Sequence, residues 1–340
     1  MKVDLSIPAI PRFIVGMPRA STTWLCRSLN EHKDITGFGE TMFWGKSFIP
    51  ANDQGFYDQA SLHRVKASLL TKPFESTLAF PGPGGLKQIN RKNIKAVIDE
   101  AFQDANVKPT PAEIFLKLSK AIARKEGKQH WVEKTPHHLL YTDRILKHFP
   151  SALFVVVIRE PYSFMLSYKH QKGHENSSAS RQRFSNRYHP LGCALVWRKS
   201  WLAAQKLKRE RPEQTFFVRM EEVKNNPTEV TQNVQNFFQI PEDPAVLNVS
   251  SKVNSAFADE PKPELTASDI AWMNFVAGKA IVSAGYRTLP WPGFSLALIK
   301  SVFDLPGWVL RWLRDTRLTT EDSVIQHLWR WLAGNPHHSR

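Results

Sequence analysis

The sequence predicts an α/β protein, with a central parallel sheet flanked by helices and a helical appendage at the C-terminal end. Three observations lead there. Short β-branched or aromatic runs at Phe13–Val15, Leu153–Ile158 and Thr215–Val218 are each followed by helix-like sequence, and strand-then-helix repetition builds parallel sheets through right-handed crossovers. The run Leu153–Ile158 is apolar throughout, as a strand covered on both faces must be. The last fifty residues change character and hold Trp291, Trp308, Trp312, Trp329 and Trp331, five of the chain's eleven tryptophans. The expected division is therefore an α/β domain over 1–288 and a Trp/Arg-rich helical extension over 289–340.

Taken in order, the first strand runs into Gly16-Met17-Pro18-Arg19-Ala20-Ser21-Thr22-Thr23-Trp24, a turn of small and hydroxyl residues that enters a helix near Thr22. Backbone N–H groups at a helix start have no intrahelical acceptor, and the macrodipole adds positive potential, so the turn is a candidate anion site. Pro81–Gly85 reads as a loop and Asn90–Asp104 has helical spacing. The strand Leu153–Ile158 delivers Arg159 at its C-terminal end, where ligands bind in open α/β sheets. Pro161 suits the first position of the next helix, and Ser163 and Ser167 lie one turn apart on it. Gly173–Tyr188 is polar and Ser/Arg-rich, and reads as a loop. Pro227–Phe238 and Thr266–Ala284 read as helices, the second stopped by Gly285. After Leu289 the helical apolar spacing is broken by Pro306, and no internal repeat is visible.

Bulk properties bound the function. The 340 residues carry 46 Lys+Arg against 31 Asp+Glu, a net charge of +15, which favours anionic partners. The basic residues are scattered and form no dense stripe, which argues against nucleic acid. Cys26 and Cys193 cannot build a disulfide framework, which suits a reducing compartment. The N-terminal residues lack a signal-peptide pattern, and no segment reaches the roughly 20 apolar residues of a spanning helix. The expected location is the cytoplasm.

Laid over the phosphate-loop pattern GxxxxGK[ST], Gly16 matches the first glycine, Ser21 replaces the second, Thr22 replaces the lysine and Thr23 matches the final hydroxyl. The missing lysine argues against an ordinary nucleotide kinase or NTPase, and Arg19 supplies a cation three residues earlier. The loop resembles the 5′-phosphosulfate loop of sulfotransferases that use 3′-phosphoadenosine 5′-phosphosulfate (PAPS), approximately G-x-P-[RK]-[SA]-G-T-T. Ser21 departs from it; where the backbone needs φ > 0, serine costs roughly 1 kcal/mol relative to glycine. Arg159 with Ser167 eight residues later is similar to the family's 3′-phosphate motif.

The resemblance implies a P-loop-like fold and sulfuryl transfer from PAPS to a hydroxyl or amine, releasing 3′-phosphoadenosine 5′-phosphate (PAP), with no metal required. It implies that Arg19, Ala20, Ser21, Thr22, Thr23, Trp24, Arg159 and Ser167 bind the donor, with Arg19 also serving the chemistry. Glu40, in the segment after the first helix, lies where carbohydrate-directed members carry a base that takes the acceptor's proton. The run Glu133-Lys134-Thr135-Pro136 resembles the family's E-K-[ST]-P element, which makes Lys134 the third catalytic candidate. His137 and His138 follow the turn, and the pair lacks further ligands for a metal. His32 reads as a surface histidine at a helix end. The stretch from Arg219 to Thr228 resembles a late family segment whose charges pair across a crossover. Lys252 and Lys262 resemble, loosely, basic residues that cover the nucleotide.

The acceptor, a carbohydrate, a glycolipid or a small metabolite, has no readable code in the sequence. The extension after Leu289 mixes Trp, Leu and Arg at helical spacing, so it is a candidate for docking on the domain, for a homodimer contact or for peripheral membrane contact. Besides a kinase, a non-catalytic PAP- or PAPS-binding relative is the competing reading.

Overall fold

The computed structural model describes residues 10–45, 47–70, 84–90, 92–103, 108–170, 188–248 and 264–317. The sequence readings of Gly173–Tyr188, except Tyr188 itself, of Lys252 and Lys262, and of Trp329 and Trp331 lie outside them. Among the described residues there is one five-stranded sheet, in the order β2-β3-β1-β4-β5. Its strands are β1 (Arg12–Gly16), β2 (Ile35–Gly39), β3 (His130–Lys134), β4 (Leu153–Ile158) and β5 (Thr215–Arg219). The pairs β1–β3, β1–β4 and β2–β3 run parallel, with Ile14 opposite both Lys134 and Val155, and Gly16 opposite Val157.

The chain divides into two compact units, Met1–Val157 with Leu207–Val253, and Ile158–Lys206 with Asn254–Arg340. In the first unit, β1 passes through the loop into α1 (Thr22–Glu31). Further helices are α2 (Gln59–Leu69), α3 (Ile94–Ala101), α4 (Pro111–Lys125) and α5 (Thr142–His148). The helices α1 and α4 cover opposite sheet faces. A Cβ on Gly37 would strike Cys26 of α1, whereas the next residue, Phe38, points the other way onto Trp131. On that side Phe13, Trp131, Phe149 and Phe154 close around Phe115 of α4. Their stacked and edge-on rings form an aromatic cluster that anchors α4 to the sheet. Helix α4 starts cleanly because Thr110 and Glu113 make a capping box with Pro111 in the first turn, which meets the orphan N–H groups that otherwise destabilise a helix end.

The second unit contains α6 (Pro161–Lys169) and most of α7 (Pro190–Glu210). Between α7 and this unit's last three helices, the chain returns to the first unit for β5, α8 (Met220–Asn225) and α9 (Pro227–Phe237). The second unit ends with α10 (Ala267–Ser283), α11 (Leu296–Phe303) and α12 (Leu305–Arg317). The helix α10 begins with Thr266 as cap and gives way at Gly285, whose φ is 76°. Asp269 in its first turn is buried and accepts from Lys169 at 2.6 Å and Tyr188 at 2.5 Å. Trp308 of α12 is buried, 5.0 Å from the His189 ring and packed against Gly192, where a Cβ would come within 2.6 Å of it. Thus one face of the C-terminal extension docks on this unit. The helix break falls at Asp304, and Pro306 occupies the first turn of α12, a position where proline removes no helical hydrogen bond. No helix among the described residues is long and apolar enough to cross a membrane.

Candidate functional site

Parallel strands of an α/β sheet end together, and the candidate residues of the first unit sit at that carboxyl edge. Gly16 closes β1 with φ 146°, and a Cβ there would stand 2.2 Å from the Val157 carbonyl of β4. Only glycine lets the chain leave the sheet that close to its neighbour. Met17 then donates its N–H to the same carbonyl at 3.0 Å, and the loop turns away. Arg19 (φ 62°) and Ser21 (φ 65°) both adopt the left-handed region.

Ser21 is the N-cap of α1, yet its side chain makes no capping bond, unlike Asp58, Thr110 and Thr266 at the starts of α2, α4 and α10. The helix opens with Thr22 and Thr23, whose backbone N–H groups have no acceptor inside the helix. Two left-handed residues bordering a helix start make a concave nest of N–H dipoles, suited to an anion. Burial lowers the pKa of the Arg19 guanidinium from its ordinary value, a cost that a bound anion would offset. Ala20 of the loop and Trp24 of α1 are both buried.

The second candidate group lies on the strands on the far side of β1. Glu40 lies just past the last residue of β2, so a strand separates the first helix from the loop that carries it. Gly39 pairs with Lys134 across β2 and β3. A Cβ on Gly39 would meet the Lys134 carbonyl at 2.3 Å and its Cε at 3.0 Å. The absent side chain is the space through which the Lys134 stem passes. Its ammonium, wholly buried, donates to Glu40 Oε1 at 2.5 Å, and the Glu40 side chain is 27% exposed.

Beneath this pair is a buried network that the sequence reading missed. Glu133 is 0% exposed. Its Oε1 accepts from the Thr41 N–H at 3.2 Å, from the Thr41 hydroxyl at 2.9 Å and from the Thr135 hydroxyl. Its Oε2 faces His138 Nδ1 at 3.0 Å, while the N–H of Trp44 donates to His138 Nε2 at 3.2 Å. Because Nε2 accepts, Nδ1 carries the proton and donates to Glu133. Burial alone would raise the Glu133 pKa, but the His138 imidazole and the bonds from Thr135 and Thr41 outweigh it, and the net shift is downward. The four donors lock Glu133 against Thr41, the residue after Glu40, so the network positions the loop that carries Glu40. One signal was available: Glu133 and Lys134 are adjacent charges at the end of a strand-length run, followed by His138.

His32 also differs from expectation. It is fully buried, because its Nε2 donates to the Pro241 carbonyl at 2.7 Å and its Nδ1 accepts the Asp34 N–H at 2.9 Å. Both ring nitrogens are used in holding the end of α1, which makes His32 a structural joint.

In the second unit, Arg159 follows β4 directly, and β4 is the strand whose Val157 abuts Gly16. Arg159 Nε donates to Ser163 Oγ at 3.2 Å, and its own carbonyl accepts from Trp197 Nε1 at 2.9 Å. Glu160 caps α6 by accepting from the Tyr162 and Ser163 N–H groups at 3.1 and 2.6 Å. Ser163, itself fixed by Glu160, thus helps to orient the guanidinium. Ser167 lies one turn on, buried.

The profile described as the sulfotransferase family matches residues 11–244 of this chain. The chain belongs to the sulfotransferase family. That match covers β1 through α9 and includes each candidate residue named above. Similar solved structures include the sulfotransferase domain of the Synechococcus PCC 7002 olefin synthase, 19% identical over 90% of this chain and 98% of that one, with a TM-score of 0.48. A sulfotransferase domain from the curacin biosynthetic pathway is 17% identical over 88% and 99%, TM-score 0.47. A sulfotransferase from Alicyclobacillus acidocaldarius is 16% identical over 84% and 100%, TM-score 0.44. A search of curated proteins found no match.

Proposed function

We propose that this sulfotransferase uses PAPS as donor and transfers its sulfuryl group to a hydroxyl or amine of a carbohydrate, glycolipid or small-metabolite acceptor. The observation that carries the reading is the carboxyl edge of the sheet. There a left-handed loop bearing a half-buried arginine leaves β1, and an ion pair between the buried Lys134 and the partly exposed Glu40 ends the neighbouring strands. The loop fits an anionic group: two left-handed residues, a helix start without a side-chain cap and a guanidinium whose charge is poorly solvated all favour one.

PAPS would supply the sulfuryl group and depart as PAP. The N–H groups of Ser21, Thr22 and Thr23 and the two threonine hydroxyls would hold the 5′ side. Arg19, which does not titrate near neutrality, would neutralise the negative charge that grows there. Arg159, oriented by Ser163, would meet the 3′-phosphate together with Ser167. Glu40 would receive the acceptor's proton, and Lys134 sets the direction of the Glu40 carboxylate.

Calorimetric titration with PAP and ADP tests this. PAP is expected to bind tighter than ADP, and Arg159→Ala to weaken PAP by about tenfold to a hundredfold through a lost charged hydrogen bond. Glu40→Gln is expected to keep PAP binding while abolishing transfer from labelled PAPS. Equal affinity for PAP and ADP, or magnesium-dependent ATP turnover, would overturn the reading in favour of a kinase. PAP binding with no transfer to any acceptor in a panel would make the chain a non-catalytic relative.

A further inference from the structure

The helix α11 packs the wrong way round for a protein surrounded by water. Its sequence, LALIKSVF, spaces large apolar residues at Leu296, Ile299 and Phe303 along one stripe. The side turned toward α10 is marked by Ser301, whose hydroxyl accepts from Trp272 Nε1 at 2.9 Å. At 3.6 residues per turn, Leu296, Ile299 and Phe303 all fall on the opposite side from Ser301. They are exposed accordingly, Leu296 by 84% and Phe303 by 79%. The chain just before the helix adds exposed Trp291 and Phe294, their rings 6.3 Å apart. On α12, Leu310 is exposed while Trp308 is buried. On α10, Phe275 and Val282 are exposed with Lys279 between them on the same face.

A run of apolar side chains of this size is uncommon on a soluble surface without a partner. Its border decides which partner. Lys279, Arg287 and Lys300 are exposed, and Lys300 sits beside the Leu296–Phe303 stripe, while Asp304 is paired with Arg311 at 3.1 Å. Large aromatic and aliphatic side chains bordered by uncompensated lysines are the composition of a helix that lies in a lipid headgroup layer. A second copy fits less well, because a two-fold contact would set this cationic border against itself.

We infer that the face formed by Trp291, Phe294, Leu296, Ile299 and Phe303 seats the protein on an anionic phospholipid surface. The inference does not rest on the identity of the sulfuryl donor.

Flotation of the full-length chain with phosphatidylglycerol–phosphatidylcholine vesicles, compared with phosphatidylcholine vesicles alone, tests it. The wild type is expected to float with the anionic vesicles. Leu296→Ser/Phe303→Ser is expected to lower the partition coefficient by about tenfold or more, with an unchanged melting curve and unchanged PAP binding. Lys279→Glu/Lys300→Glu is expected to weaken binding to the anionic vesicles specifically. Leu202→Ser, an exposed leucine on α7, is expected to leave flotation unaltered. Three results would overturn the inference. The wild type and the Leu296/Phe303 variant could float equally. Flotation could appear only after deletion of residues 318–340, which would make that segment the occupant. Self-association without flotation, abolished by the same double variant, would make a second copy the occupant.

Discussion

Ser21 holds a backbone conformation that costs an L-residue roughly 1–2 kcal/mol and glycine nothing, and Arg19 does the same two residues earlier. Ser21 therefore stands at a position where the family pattern's glycine would be less strained. Ser21→Gly is expected to stabilise the fold by about 0.5–1 kcal/mol, after glycine's larger unfolded-state freedom is subtracted. Thermal unfolding would then show a melting temperature about 1–3 °C higher. A lower one would mean that the Ser21 hydroxyl makes a contact worth more than the strain. The carboxylate of Glu133 is a second case. Glu133→Gln keeps the shape but turns one accepting atom into a donor that faces either the Thr41 N–H and two hydroxyls or the His138 N–H. The mismatch is expected to cost about 2–4 kcal/mol in urea unfolding. Because Glu133 acts through the Glu40 loop, kcat should fall more than the KM for donor changes, and His138→Gln should reproduce that split.

At the scale of elements, what could be read from the sequence depended on what each element has to bury. The strands β1, β4 and β5 were legible because their runs are apolar or β-branched. The helix α10 was legible to within a residue because Thr266 and Gly285 mark its ends. The strands β2 and β3 were not. ITGFG carries two glycines, which weaken a strand, yet they are there because Cys26 and Lys134 occupy the space where side chains would be. HWVEK carries two charges that ordinary patterning assigns to a surface, and both are buried, one on Thr41, Thr135 and His138 and the other on Glu40. The site thus hid two of the five strands, since a strand that delivers charge to a crevice cannot also look like a core strand. The loop was legible by comparison because it needs particular backbone conformations, which leave a mark in residue type. The same argument makes β1 intolerant at its end. Gly16→Ala would drive a methyl group into the Val157 carbonyl, and the expected cost is above about 3 kcal/mol. Soluble yield and circular dichroism would show whether the chain still folds.

For the molecule as a whole, each unit carries, among the described residues, one buried carboxylate held below its ordinary pKa. Burial would raise both, but His138, Thr135 and Thr41 outweigh it at Glu133, and Lys169, Tyr188 and Thr266 do so at Asp269. A carboxylate with a lowered folded-state pKa binds its proton first in the unfolded chain. Its stabilisation is therefore present above the unfolded value of about 4 and is lost as the pH falls through the folded one. Urea midpoints measured at about pH 7, 4 and 3 should fall steeply over the last interval. Glu133→Gln should flatten that fall for the first unit, and a parallel slope in the variant would count against the assignment.

The outward stripe on α11 also governs how the protein behaves once it is extracted from cells. Excluded salts such as ammonium sulfate strengthen apolar association. A chain with Leu296, Ile299 and Phe303 turned to water should therefore precipitate at low salt saturation and bind tightly to a phenyl resin. The Leu296→Ser/Phe303→Ser protein should stay in solution longer and elute earlier, so the same two side chains set the conditions for its purification.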